Sequence, residues 1–396
     1  QGRQRGDGAA SLAEGLGLSG RPGRFVIMTE AGSWKRYLRR SDDLVRDGLR
    51  VALEGFQCQV FVDVVEVDDD EAGSYARLCD ALGGRGAPDL GWALQDLDYA
   101  AAYDAWKAAL GAGYFGSGPR PSAAPEATAA FIAAFAAVAR PGGAAAPADY
   151  AAMAAAAVEG RERLERAVAV GREGGPASAA PLAARVAAVP GAREAAFALA
   201  ALLPIAELVG GFAEAPRARA LAESAGMGRK LREAMADAGV DPGLAESASG
   251  FAVAMLGRLD QVSERPGGGS GGLSARASAR AILADDEARA LFGVNRWNDE
   301  NWIDAGLYRL GSTLYAIAAA ALGGLEASEA AEALSATDRA LEDAGWSLDR
   351  AISARRRPAA GSALRAAPRA ARGASAKKAA GTDAPKGRPT DTKGKE

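Results

Sequence analysis

Hydrophobic and polar positions alternate with the period of a strand only near the N-terminus of this 396-residue chain, and elsewhere they recur at helical spacing. Arg24–Thr29 (RFVIMT) is a short apolar run of strand type. Over Phe56–Val67 the alternation predicts a half-buried strand, with Phe56, Cys58, Val60, Val62 and Val64 on one face and Gln57, Gln59, Phe61 and Asp63 on the other. Between these runs, Trp34, Leu38, Leu44, Val45 and Leu49 sit among Arg and Asp residues as on a solvent-facing helix. Glu71–Leu82 and Leu90–Leu110 read as helices, separated by Gly83–Gly86 and Pro88.

Further along, Phe131, Phe135 and Val138 mark a helix that begins near Pro125 and stops at Pro141-Gly142-Gly143. Tyr150, Met153, Ala157 and Leu164 mark a second, and Phe197, Leu202, Ile205 and Val209 a third, which Pro204 should kink or divide. Phe251, Met255 and Leu259 mark a fourth. After the Gly-rich segment Pro266–Gly272, the apolar positions Ile282, Leu283, Ala288, Leu291 and Phe292 lead into a polar-aromatic turn. Leu307, Leu310, Leu314 and Ile317 follow it. These patterns predict a mainly α chain with a small α+β N-terminal portion and a disordered basic C-terminal tail. The expected divisions are a disordered or linker segment over 1–20, the α+β region over 21–118 and an Ala-rich helical region over 119–265. A Gly-rich linker over 266–272, a helical region with the Trp-containing turn over 273–350 and the tail over 351–396 complete them.

Composition changes the expectation for the core. One hundred residues are Ala and 50 are Gly, so few side chains are large enough to bury much area, and the core should be thin or confined to part of the chain. Helices this poor in large apolar groups are expected to be marginal alone, although their small residues would let them approach closely. Ala195–Val209 is the longest apolar run; Pro204 and Glu207 interrupt it, so it reads as a buried helix and no membrane span is expected. Gln1–Gly20 lacks the layout of a signal peptide, and the chain begins without Met, as the downstream part of a longer product would. Cys58 and Cys79 are expected to be free thiols in a reduced, cytoplasmic setting.

Histidine is absent, which excludes Ser-His-Asp and Cys-His nucleophile activation and the two-His zinc motifs. No Gly-rich phosphate loop is present at Gly83–Gly86 or Pro266–Gly272. No catalytic residue, metal ligand or cofactor is therefore assigned. The run Asp68-Asp69-Asp70-Glu71 lacks the spacing of a calcium loop and reads as a solvated turn. Asp63, Asp96 and Asp98 are formal candidates for carboxylate chemistry that nothing singles out among 50 acidic residues. Ala354–Glu396 has 12 Lys or Arg and three acidic residues, so it could meet nucleic acid through its phosphates or serve only as a solubilising terminus. The most distinctive segment is Phe292–Ile303 (FGVNRWNDENWI). Asn295, Trp297 and Trp302 are its candidate binding residues, since aromatic faces beside amides and carboxylates hold polar ligands, sugars included. The plainer reading has both indoles docking the turn onto neighbouring helices.

Two segments together resemble the downstream, non-catalytic region of large bacterial α-amylase-type proteins of glycoside hydrolase family 13. One lies in Arg24–Leu97 and rests on Phe56–Val67 followed by Gly83-Gly84-Arg85-Gly86. The other is the helix leading into Gly293-Val294-Asn295-Arg296-Trp297, with Trp302 after it, which looks like the family's GVN-x-W/Y turn. At Ile303 the family pattern would favour an aromatic. The resemblance covers about a quarter to a third of the chain and carries no catalytic motif. It implies an accessory helical region of a carbohydrate-active protein, with the upstream catalytic domain as its partner and α-glucan as a possible ligand. The alternative, read from the tail, is a helical interaction protein that contacts nucleic acid or other acidic partners.

Overall fold

The computed structural model describes residues 11–56, 58–116, 121–122, 124–139, 149–169, 180–263, 275–323 and 327–354. The chain is mainly α with a small N-terminal sheet, as the periodicity predicts. Residues 355–396 of the tail and the 266–272 linker lie outside the described residues, as does the Pro141–Gly143 stop.

The N-terminal unit begins earlier than expected. Residues 11–18, expected to be linker, form α1 (Leu12–Gly15) and an ordered turn, because Ser11 and Glu14 make a reciprocal capping box and Ala13 is buried. Next come β1 (Arg24–Glu30), β2 (Arg36–Arg40), α2 (Ser41–Asp47) and β3 (Phe61–Asp68), in an antiparallel sheet of order β2-β1-β3. Central β1 is covered on both faces: Phe25 packs with Leu38, Leu78 and Leu90, and Val26 and Met28 pack with Leu44. That is why the run RFVIMT is apolar without alternation.

Two expectations here are corrected. The solvent-facing helix over Trp34–Leu49 is instead β2 followed by α2. Leu38 is buried opposite Ile27 on β1, while Trp34 is exposed in the β1–β2 connection. A single apolar residue among arginines fits either period, and pairing with β1 decides it. The second strand starts at Phe61 rather than Phe56, and Phe56, Val60 and Val62 are exposed. Asp63 takes a left-handed φ of 51°, and the register shifts between Ile27 and Thr29 of β1. This bulge adds one residue to β3 and breaks the period of two, so Phe61 and Val64 share a face.

Glu66 ties this unit together. Its carboxylate accepts from the Ser19 hydroxyl at 2.9 Å and from the Ser41 hydroxyl, and it pairs with Arg24 at 2.8 Å. Burial opposes its ionisation, but these hydrogen bonds and the Arg24 charge outweigh burial and hold the carboxyl below its ordinary range. A lowered folded-state value stabilises the fold above the unfolded value of about 4.3 and is lost as pH falls through the folded value. Loosening of the sheet amides below about pH 4, followed by hydrogen exchange, is thus expected to be shallower in Glu66→Gln than in the parent.

Two helices follow the sheet, α3 (Ser74–Leu82) and α4 (Leu90–Asp98), with α5 (Ala100–Leu110) opening the helical body; the predicted helix Leu90–Leu110 breaks at Tyr99. The body continues through α6 (Pro125–Ala139), α7 (Tyr150–Ala169), α8 (Ala180–Ala188), α9 (Ala192–Val209), α10 (Ala215–Ser224), α11 (Met227–Asp237), α12 (Pro242–Leu256) and α13 (Leu259–Ser263). Central α9 buries 15 of its 18 residues and is packed by α6, α7, α10, α12 and α16 (Ala305–Ala321). It runs through Pro204 undivided. The Trp106 indole donates to the Ala201 carbonyl at 3.0 Å, which supplies a bond beside the one proline removes. The main core extends from Ala102 to Leu334, so it is rich in alanine without being confined to one part of the chain.

The remaining elements are α14 (Ala275–Ala284), α15 (Asp286–Leu291), the short strands β4 (Asn295–Trp297) and β5 (Glu300–Trp302), α17 (Ala327–Asp343) and α18 (Leu348–Ser353). Residues 351–353, expected at the start of the tail, belong to α18. Arg185 of α8 clamps α16 and α17, donating to Thr313 at 2.8 Å, Ser312 at 3.0 Å and Asp338 at 2.7 Å. Among the described residues no single helix is long and apolar enough to cross a membrane.

Candidate functional site

The segment Phe292–Ile303 is a β-hairpin rather than a bare turn. Asn298 and Asp299 both have positive φ, 50° and 61°, which is the two-residue type I′ connection. Asn and Asp tolerate that region better than other residues with a Cβ. The register Asn295↔Trp302, Arg296↔Asn301, Trp297↔Glu300 places Asn295, Trp297, Glu300 and Trp302 on one face. The three predicted binding residues are thus brought together.

The two indoles differ in role. Trp302 is half-buried, donates its Nε1–H to the Trp297 carbonyl at 3.2 Å, and lies under the Arg350 guanidinium at 5.1 Å. Trp297 meets Trp302 edge-on with ring centroids 6.4 Å apart and is 64% exposed. Docking therefore accounts for Trp302 and leaves Trp297 presented to solvent. Asn295 is exposed beside them.

The hairpin is held by α18 and the residues before it. Asn301 donates to Asp349 through its backbone at 2.6 Å and its amide at 3.0 Å. Glu300 pairs with Arg350 at 2.9 Å, and Ile303 N–H donates to the Trp346 carbonyl at 3.0 Å. Ile303 itself is buried among Ile282, Tyr308, Leu341 and Leu348, which explains an aliphatic residue there. Arg350 and Asp349 carried no signal in the sequence: they lie almost fifty residues from the hairpin, and only the docking of α18 brings them in.

The other candidates resolve into structural roles. In the acidic run, Asp69 accepts from the Tyr75 and Ala76 amides at 2.8 and 3.1 Å, and Asp70 from the Ser74 amide at 2.9 Å, so the pair caps α3. Hydrogen bonds from Ser74 hold the Asp70 carboxyl below its usual range. Asp96 pairs with Arg229 and Lys230 of α11, each at 2.8 Å, and Asp98 pairs with Arg77 at 2.7 Å. Burial works against the Asp96 charge, and the two cations overcome it and lower its pKa. Both cysteines are free; burial pushes the Cys79 thiol up, away from reactivity. Among the described residues no three His, Cys, Asp or Glu side chains gather as a metal site.

What the hairpin offers chemically is an aromatic surface fixed by a rigid turn, with an amide, a carboxylate and a guanidinium around it. No protein-family model, curated protein or solved structure matches this chain.

Proposed function

We propose that this chain is an accessory, non-catalytic region of an α-amylase-like carbohydrate-active protein, and that Trp297 presents a stacking face to α-glucan. The observation that carries the reading is the exposure of Trp297 on a hairpin whose other indole is held in place. Asn295 and Glu300 lie on the same face of the hairpin as Trp297, and Arg350 pairs with Glu300, so polar groups neighbour the aromatic surface, as a sugar ring with polar edges and an apolar surface requires. The resemblance at Gly293–Trp297 supports the same assignment, and an upstream catalytic domain would be the partner.

The test is retention of the purified full chain on an amylose resin, released by maltooligosaccharide. Trp297→Ala is expected to weaken retention about tenfold or more, the equivalent of about 1.4 kcal/mol, with thermal stability unchanged because the side chain is exposed. The chain alone is expected to release no reducing sugar. Equal retention of parent and variant would sink the reading, as would glucan hydrolysis by homogeneous protein. Retention on DNA in place of amylose would favour contact with acidic partners through the tail.

A further inference from the structure

We propose that the N-terminal unit binds the hydrocarbon portion of a small amphiphile, of about six to eight carbons, in the apolar cavity beneath α1. The cavity has a volume of about 190 Å³. Its walls include Leu12 and Leu16 of α1, Leu44 of α2, Met28 of β1, and Phe61 and Val64 of β3, and every residue lining it is apolar. An apolar cavity of about 150 Å³ in another protein stays dry and takes benzene, so this one suits a chain slightly larger than six carbons. With no hydrogen-bonding side chain in the lining, a polar head has nothing to meet inside and stays in solvent.

The gap has a local cause. The bulge at Asp63 separates Phe61 and Val64 by one residue more than a regular strand would on the same face, which leaves room between them over Met28. A second feature points to a ligand of this chemistry. The loop between Leu49 and Phe61, two of the lining residues, carries Val51, Leu53, Phe56 and Val60 exposed, and Leu12 and Leu16 are themselves largely exposed on α1. The cavity therefore opens beside the exposed apolar side chains of Leu12 and Leu16, a rim that favours an alkyl chain over a polar solute.

The proposal is tested with the full chain by titration calorimetry against sodium butyrate, hexanoate and octanoate. Binding is expected to be one to one, with Kd falling about fourfold for each added methylene, from the transfer of about 0.8 kcal/mol per CH₂ out of water. Val64→Phe and Leu44→Phe, which fill the cavity, are expected to abolish octanoate binding while the helical circular dichroism of the body persists. Should both variants lose the sheet, seen as lost amide protection at Val26, the chain-length series on the parent decides. A Kd indifferent to chain length, or variants that keep the sheet and bind octanoate like the parent, would overturn the proposal. Uptake onto phosphatidylcholine vesicles without saturable octanoate binding would also overturn it, by assigning the apolar rim to a bilayer. Trp297→Ala is expected to leave octanoate binding untouched, so failure here and failure of the glucan reading are separate results.

Discussion

Arg161→Ala is expected to destabilise the chain by about 3–5 kcal/mol, measured by urea unfolding followed through helical circular dichroism. Arg161 lies on α7 in the middle of the Ala-rich body, with its side chain only 6% exposed. The guanidinium donates to the Ala109 and Pro121 carbonyls at 3.1 Å each and to Glu165 at 2.8 Å, and it stacks on the Tyr114 ring at 4.4 Å. Truncation strands two carbonyls and a carboxylate that water reaches poorly, and each unmet group costs about 1–3 kcal/mol. Arg161→Met restores packing against Tyr114 without the hydrogen bonds, so it is expected to recover part of the loss. A cost below about 1 kcal/mol for the alanine variant would show that water enters to replace the guanidinium, and that the end of α5 is not held by this residue.

The second large effect is a reversal of sign. In most helix interiors, replacing Gly with Ala stabilises by about 0.5–1 kcal/mol. At Gly311 of α16, Ala is expected to destabilise by about 1–3 kcal/mol instead. A Cβ there would sit 2.5 Å from Phe251 and 2.6 Å from Phe292, both ring carbons held in the junction of α12, α15 and α16. Gly250 of α12 is the control, because its Cβ would meet nothing nearer than Leu291 at 3.5 Å, and Ala there is expected to stabilise. Thermal melts of the two single variants carry the test. Parallel shifts of the two would mean that the helices do not approach as closely as their glycines allow.

These variants also mark how far the amino-acid order could be read. The helix assignments succeeded where spacing was long and regular: Phe131 and Phe135 and the run into Val209 bury the residues that periodicity chose, whereas the helix marked by Phe251, Met255 and Leu259 buries all three but divides after Leu256 into α12 and α13. Short windows failed. Trp34–Leu49 divided into strand and helix because five apolar positions in sixteen residues fit two periods, and only the hydrogen bonds of β1 selected one. At Phe56–Val67 a single residue in left-handed geometry shifted the face, which alternation alone cannot register. Composition likewise pointed to a thin core, yet alanine in α9 lets five helices pack on one axis and share a core across the body.

The candidate site divides the same way. Asn295, Trp297 and Trp302 stood out from the sequence as aromatic and amide groups at close spacing, and two adjacent residues that tolerate positive φ made the hairpin possible. Which indole is anchored and which is presented depended on Arg350 and Asp349, delivered by α18 from a distant part of the chain. The order of residues by itself determined that the chain is mostly helical, without histidine chemistry, and with a small sheet near its N-terminus; it did not show the short strands β4 and β5. Which side chains meet, where the cavity under α1 opens, and which tryptophan faces water were decided by tertiary packing. Burial and hydrogen bonding between distant segments carry free energies larger than the local preferences that periodicity records.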